Sequence, residues 1–265
     1  PRGGAKSTIV GLIYLAWVAL NGKRHFVPYI SDTYLQTKMI TSGLRSELEG
    51  NEMVKFIYPN AINPSLKWGE EGFEIEGIEG KCYILPLGAG MKIRGLKYDN
   101  HRPDLVIIDD LENLEAVYSA EQRKKLQNWL DYDLLPALDR YNRNIIMIGT
   151  ILHYHSLLRK ILMKEDKYKG WKTRVFKALS DQGESFWPAR FPPDYLKEIR
   201  DNPNHPDYVG SIVFAQEMQN EPQDDKDRII KIDWVKKYNF MATIRGYEGE
   251  DDDARVKAFL AKLDV

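Results

Sequence analysis

The chain has 265 residues, 43% of them hydrophobic, and a formal net charge of −1. That length buries one good core, or one core and a small appendage. Near-neutral charge means that any contact with a polyanion must come from local patches, and the single cysteine, Cys82, excludes a disulfide framework and suits a reducing compartment. No leader and no apolar run of about 18 residues is present, so a soluble protein is expected.

The first residues, Pro1-Arg2-Gly3-Gly4-Ala5-Lys6-Ser7-Thr8, lead directly into an apolar helical stretch, 9–20. A glycine-rich turn with a lysine and a hydroxyl at a helix N-terminus is a phosphate cradle. Backbone N–H groups and the helix dipole hold the phosphates, Lys6 reaches the outer ones and Ser7 ligates Mg²⁺. The usual pattern has glycine where Ala5 stands, and the strand that normally feeds such a loop is missing from this sequence. The plain alternative is a basic surface turn, which the fully apolar stretch behind it disfavours.

Residues 25–30 read as the next strand, and Ser31 and Asp32 offer N-caps to a helix running to about Glu49. From Gly72 to Leu87 short apolar runs alternate with turn glycines, the pattern of antiparallel hairpins beside the main sheet. Leu105-Val106-Ile107-Ile108 then runs into Asp109-Asp110. A carboxylate pair ending a buried strand is the partner a phosphate loop needs: Asp109 toward the metal, and the next carboxylate beside the attacking water. Solvated aspartates at a strand end are the alternative. Asp110 is the first choice for the catalytic carboxylate. Glu112 is the fallback, because in an extended strand end it would share a face with Asp110.

Ser119-Ala120-Glu121-Gln122 is a capping box opening an amphipathic helix through Leu130 and beyond. Residues 144–148 form another buried strand ending in Gly149-Thr150, where a hydroxyl can touch the outer phosphate or its water and couple hydrolysis to strand position. A helix from about Ser156 to Met163 and a strand from Trp171 to Ala178 follow. His153 and His155 have metal-like spacing but no third ligand nearby, so packing is the expected role; Trp129, Trp171 and Trp187 are likewise expected to pack. After about Leu179, prolines 188, 192, 193, 203, 206 and 222 break the chain into short helices, and the acidic run 248–253 reads as a solvated linker. Strands alternating with helices imply a mostly parallel α/β sheet with its ligand at the strands' C-terminal ends. The boundaries expected are a core at 1–180, a small linker or lid subdomain at 181–240, and an acidic linker at 241–265.

The sequence resembles the ATPase domain of phage large terminase subunits. The residues that carry the resemblance are the loop at 1–8, Ile93-Arg94-Gly95, Arg102-Pro103-Asp104 leading into the Asp109-Asp110-Leu111-Glu112 strand end, and Ile148-Gly149-Thr150-Ile151-Leu152-His153. Two further stretches belong with them, Phe186-Trp187-Pro188-Ala189-Arg190-Phe191-Pro192 and Phe214-Ala215-Gln216-Glu217-Met218-Gln219-Asn220-Glu221-Pro222. The resemblance implies a phosphate-loop NTPase of the additional-strand (ASCE, RecA-like) type, a mostly parallel sheet flanked by helices with a small C-terminal linker subdomain. It implies ATP and Mg²⁺ as cofactors, with Arg2, Gly3, Gly4, Ala5, Lys6, Ser7 and Thr8 holding nucleotide, Ser7 and Asp109 holding metal, and Gly149 and Thr150 coupling.

It places an activating arginine at Arg94, offered to a neighbouring subunit; Arg102 is the runner-up and Arg2 a sensor in cis. The partners implied are double-stranded DNA, a portal protein, a small terminase subunit and further copies in a ring on the portal, in the cytoplasm of an infected host. The family's RNase H-like nuclease would begin after the linker, and nothing in 241–265 supplies its aspartate cluster. A helicase-like translocase and a degenerate, non-hydrolysing scaffold are the alternatives.

Overall fold

In the computed structural model the chain divides after Gln223 into two units, and the structure describes residues 1–222. The expected acidic linker at 241–265, the run 248–253 within it, and the end of the 181–240 segment lie outside the described residues.

The glycine-rich stretch 1–7 enters a π-helical turn, Thr8–Tyr14, that continues without a break as α1 (Leu15–Leu20). Then come β1 (Phe26–Ser31), α2 (Tyr34–Gly50), a short α3 (Glu52–Ile57), β2 (Trp68–Gly69), β3 (Gly72–Glu76) and β4 (Lys81–Gly88). Next are β5 (Leu105–Asp109), α4 (Leu114–Tyr118) and α5 (Ala120–Asn128), which runs on through a second π-helical turn, Trp129–Leu134, into α6 (Leu135–Ala137). The described residues end with β6 (Asn144–Ile148), α7 (Leu157–Leu162), α8 (Pro193–Asp201) and α9 (Gly210–Glu217).

One six-stranded sheet has the order β2-β3-β4-β1-β5-β6. β4, β1, β5 and β6 are parallel neighbours, whereas β3 pairs antiparallel with β4 and β2 antiparallel with β3. The hairpins expected beside the sheet are thus part of it, because β4 turns one edge to β3 and the other to β1. The parallel strands are apolar on both faces, as strands buried between helices must be: every residue of β1 and of β5 is buried. One face packs on α1 and α2, through Leu15, Val27, Tyr29, Leu44, Ile84 and Ile107. The other packs on the α5–α7 layer, through Ile30, Val106, Ile108, Leu130 and Leu157.

Two local expectations differ from the structure. The first turn of α2 is capped by Thr33, whose hydroxyl accepts from the Gln36 N–H, rather than by Ser31 or Asp32. Ser31 is instead buried at the end of β1, and the Asp32 carboxylate accepts from the Asn113 amide. The segment 171–178 forms no strand. A strand needs a ladder partner, and a cavity of about 570 Å³ lies between β6 and residues 171–176. Ser119 caps α5 as its sequence implies, accepting from Gln122 N–H.

Candidate nucleotide site

Because β4, β1, β5 and β6 run parallel, their C-terminal ends share one edge of the sheet. Asp109 ends β5, and Gly149-Thr150 follows β6. Lys6 closes the arrangement: its ammonium donates to the Thr150 hydroxyl (3.3 Å) and to the Pro1 carbonyl (3.1 Å). Asp110 joins the same cluster, with the Thr150 N–H bonded to its carboxylate and Lys6 close enough to act on it electrostatically. Three stretches separated by about a hundred residues and by about forty thus meet at Lys6, Asp110 and Thr150.

The backbone is bent to make this possible. Gly3 has φ 72° and Ala5 φ 56°. The position that ordinarily carries glycine is therefore left-handed here too, and Ala5 adopts it at a cost of roughly 1–2 kcal/mol. Asp110 is also left-handed (φ 44°) and leaves the strand: its N–H donates to the Ile148 carbonyl (3.0 Å) and its carbonyl accepts from Asp32 N–H (3.3 Å). Gly149 makes room beside it, since a Cβ there would lie 3.2 Å from Leu158 and 3.4 Å from the Asp110 carboxylate. Burial, reinforced by the adjacent Asp109 carboxylate, holds the Asp110 pKa above the ordinary aspartate value, against the pull of Lys6.

The turn at Asp110 removes the geometry on which Glu112 stood as an alternative. The strand stops at Asp109, so Asp110 and Glu112 do not share a strand face. Both Glu112 oxygens are instead taken by the start of α7, from the N–H groups of Leu157 (2.7 Å) and Leu158 (3.0 Å). Burial raises the Glu112 pKa despite these two bonds.

Asp109 is fully buried. One oxygen accepts from the Tyr29 hydroxyl (2.7 Å); the other, Oδ1, has no partner, and neither has the buried Ser31 hydroxyl. A buried acceptor without a donor is costly, and here it lies at the C-terminal end of β5. Mg²⁺ keeps several waters and takes only one or two protein carboxylates beside phosphate oxygens. Asp109 with the Ser7 hydroxyl fits that demand, and Ser7 makes no capping bond to its own helix. Among the described residues no group of three or more His, Cys, Asp or Glu could hold a metal by itself. His153 is buried with its ring edge on Tyr118, its Nδ1 accepting from His155 N–H.

The arginines separate by position. Arg102 precedes β5 and so lies at the opposite end of that strand from Asp109; it donates to the Pro136 carbonyl. Arg94 follows β4 and is on the site's edge of the sheet, but its side chain is turned to Asp133 (2.5 Å) and the Tyr132 carbonyl (2.8 Å). Arg2 is exposed and reaches Glu217, 3.8 Å away.

The two C-terminal stretches singled out in the sequence pack against this site. Phe186 and Phe191 stack 6.1 Å apart over the loop glycines: a Cβ on Gly3 would lie 3.1 Å from Phe191, and one on Gly4 3.2 Å from Phe186. Asn220 accepts from Ile151 N–H and Gln216 donates to the Leu152 carbonyl, binding the 214–222 stretch to the segment after Thr150. Asp104 in the Arg-Pro-Asp stretch is structural, accepting from the N–H groups of His25 and Phe26 where β1 starts. Sequence reasoning missed Tyr29, Ser31, Asp32 and Asn113. The last two are joined by the Asn113 amide donating to both Asp32 oxygens.

One cavity adjoins the cluster, and a second is lined by residues of α5 and α7 away from it. The larger runs from Lys6 and Gly4 along β6 and is lined mostly by apolar groups such as Ile9, Ile146 and Val175. The other, about 470 Å³, is lined by Arg123, Lys124, Lys160, Lys167, Tyr132 and His155 among others, with no carboxylate in its lining. Among the described residues no helix is long and apolar enough to cross a membrane.

Sheet order and strand direction define a mixed α/β fold, one mostly parallel sheet flanked by helices. The chain shares that fold with the large-terminase ATPase domain of Thermus phage P74-26: TM-score 0.50 at 16% identity, covering 83% of this chain and 85% of that one. A point variant of the same domain gives 0.52 at 14% identity, covering 84% and 86%. No protein-family model matches the sequence, and no curated protein matches it.

Proposed function

We propose that this chain is the ATP-hydrolysing motor domain of a viral large terminase, moving double-stranded DNA into a procapsid. The observation that carries the reading is the meeting of Lys6, Asp110 and Thr150 beside the unpartnered Asp109 Oδ1. In this reading residues 2–8 wrap the phosphates of ATP, Lys6 neutralises the outer ones, and Ser7 and Asp109 hold Mg²⁺. The metal, when bound, would supply positive charge between the outer phosphates. Asp110 orients the attacking water. Thr150, already on Lys6, senses whether the outer phosphate is present. Residues 1–180 act as the catalytic core and residues beyond as linker.

Arg94 completes a neighbour's site. It is exposed, on the correct edge of the sheet, and held by a surface ion pair, which is weak enough to exchange. A ring of copies on a portal protein, with a small terminase subunit and in the host cytoplasm, is part of the same proposal. The cavity bearing Arg123, Lys124 and Lys160, with Lys167 held by Asp131, supports a phosphate-rich partner, since backbone contacts of this kind need only cations.

The test is Mg²⁺-dependent ATP turnover by the purified chain with and without DNA. Lys6→Ala is expected to abolish turnover, and Asp110→Asn to slow it at least about a hundredfold while Mg–ATP still binds. Duplex DNA should stimulate the wild type; stimulation by single strands alone would move the reading to a helicase-like translocase. Mixing Arg94→Ala with Lys6→Ala subunits under ring-forming conditions should restore part of the activity, because inserted arginines contribute roughly 10³–10⁵ in rate. Normal turnover by Arg94→Ala alone would dispose of the trans role.

A further inference from the structure

β1 contributes more to the site than a wall. Its residues Tyr29 and Ile30 lie opposite Ile107 and Ile108 of β5, so one further step in the same register brings Ser31 beside Asp109. Side chains alternate along strands, which puts Tyr29, Ser31 and Asp109 on the same face of the sheet, beneath the helix that follows the loop. All three are completely buried.

Within this trio the bonding is lopsided. Tyr29 donates to Asp109 Oδ2 at 2.7 Å, while Asp109 Oδ1 and Ser31 Oγ have no partner. Leaving a buried polar group unpaired costs about 1–3 kcal/mol, so two such groups on adjacent strand ends form a place prepared for something polar. Tyr29 also sets the helix above it. Gly11 is buried, and a Cβ there would overlap the Tyr29 hydroxyl. The absence of a side chain at Gly11 lets the phenol stand upright between helix and carboxylate.

We infer that Tyr29 and Ser31 are positioning residues for the metal-bearing end of the site. Tyr29 occupies one Asp109 oxygen and fixes the carboxylate plane, so that the buried Oδ1 is left for the metal-bearing end. The Ser31 hydroxyl offers the second polar contact to the water or cation held there. Gly11 keeps that clamp aligned with the phosphate loop. This rests on the nucleotide-site reading above and extends it to residues outside the motifs.

The test follows binding rather than turnover. Fluorescent mant-ATP is titrated onto wild type, Tyr29→Phe, Ser31→Ala and Lys6→Ala, first without Mg²⁺ and then over a Mg²⁺ series at fixed nucleotide, with circular dichroism to confirm folding. For Tyr29→Phe and Ser31→Ala the Mg²⁺-free affinity should stay within about twofold, while the Mg²⁺ concentration at half-effect rises about tenfold, equivalent to roughly 1.4 kcal/mol. Lys6→Ala should weaken binding in both series. If wild type binds and both variants follow its Mg²⁺ curve, or bind Mg²⁺ more tightly, the inference fails and the nucleotide site stands. If wild type itself binds no nucleotide in either series, the nucleotide reading fails and this inference falls with it. Should Tyr29→Phe not fold, Ser31→Ala decides the matter alone, as it removes one oxygen and no packing.

Discussion

Ala5 and Lys6 are neighbours with opposite relations to stability. Ala5 occupies a left-handed turn that glycine adopts without strain. Ala5→Gly is therefore expected to leave the fold intact and raise stability by up to about 1 kcal/mol, part of the relief being lost to the freer unfolded chain. Urea denaturation would read it; a loss of more than about 0.5 kcal/mol would contradict the strain. Lys6→Ala should change stability little, because its two hydrogen bonds are only part-buried. The lysine is singled out by the sequence because the role proposed for it depends on local spacing. The Ala5 geometry is not, since the pattern asks for glycine and only φ reveals that alanine takes the glycine conformation.

Among the elements, α7 depends on Glu112. The helix is six residues long, too short to hold itself without help at its N-terminus. Ser156 accepts from Arg159 N–H, and Glu112 takes the two N–H groups before it. Glu112→Ala leaves Leu157 and Leu158 N–H unpaired and should cost about 1–3 kcal/mol, while kcat of the folded variant stays within about fivefold of wild type. A dead but fully stable variant would reverse the assignment.

The pH dependence follows from burial. Glu112 holds its proton more tightly folded than unfolded, so the native state binds more protons and stability falls as pH rises through the window above the ordinary glutamate value. Glu112→Gln lacks that titration, so its penalty relative to wild type should shrink as pH is raised from about 4 to 7 in thermal melts. An unchanged or growing penalty would count against the burial account. The contrast between elements is instructive. β5 and the Ser119 cap were readable because each is specified within a few residues. Segment 171–178 has strand-like composition but no ladder partner, and composition cannot supply one. Tyr29 reads simply as buried strand and Ser31 as a helix cap, since the roles inferred for them come from register with Asp109.

At the scale of the molecule, the stretch after 178 has an apolar cluster of its own, Ala178, Leu179, Leu196, Ile199, Phe214 and Met218. It meets residues 2–4 of the glycine-rich loop through Phe186, Phe191 and the Arg2–Glu217 pair. Phe214→Ala removes the largest buried ring of that cluster, at a cost of about 3–5 kcal/mol. Limited proteolysis should then cut between residues 179 and 210 while the six-stranded sheet survives; uniform loss of the whole fold would show that the two clusters unfold as one.

β6 ends the sheet order, with β5 on one side and the long apolar cavity on the other. Asn144 N–H donates to Asp104, and the Ile148 carbonyl accepts from Asp110. In a parallel strand the amides alternate in direction, so Asn144, Ile146 and Ile148 point toward β5 while Ile145 and Met147 point into the cavity. Amide hydrogen exchange should divide along the same alternation, with Ile145 and Met147 exchanging orders of magnitude faster than Ile146 and Ile148. Those two amides are consequently built-in reporters: any extended segment that lies along this edge will slow them first, before it changes any other property of the chain.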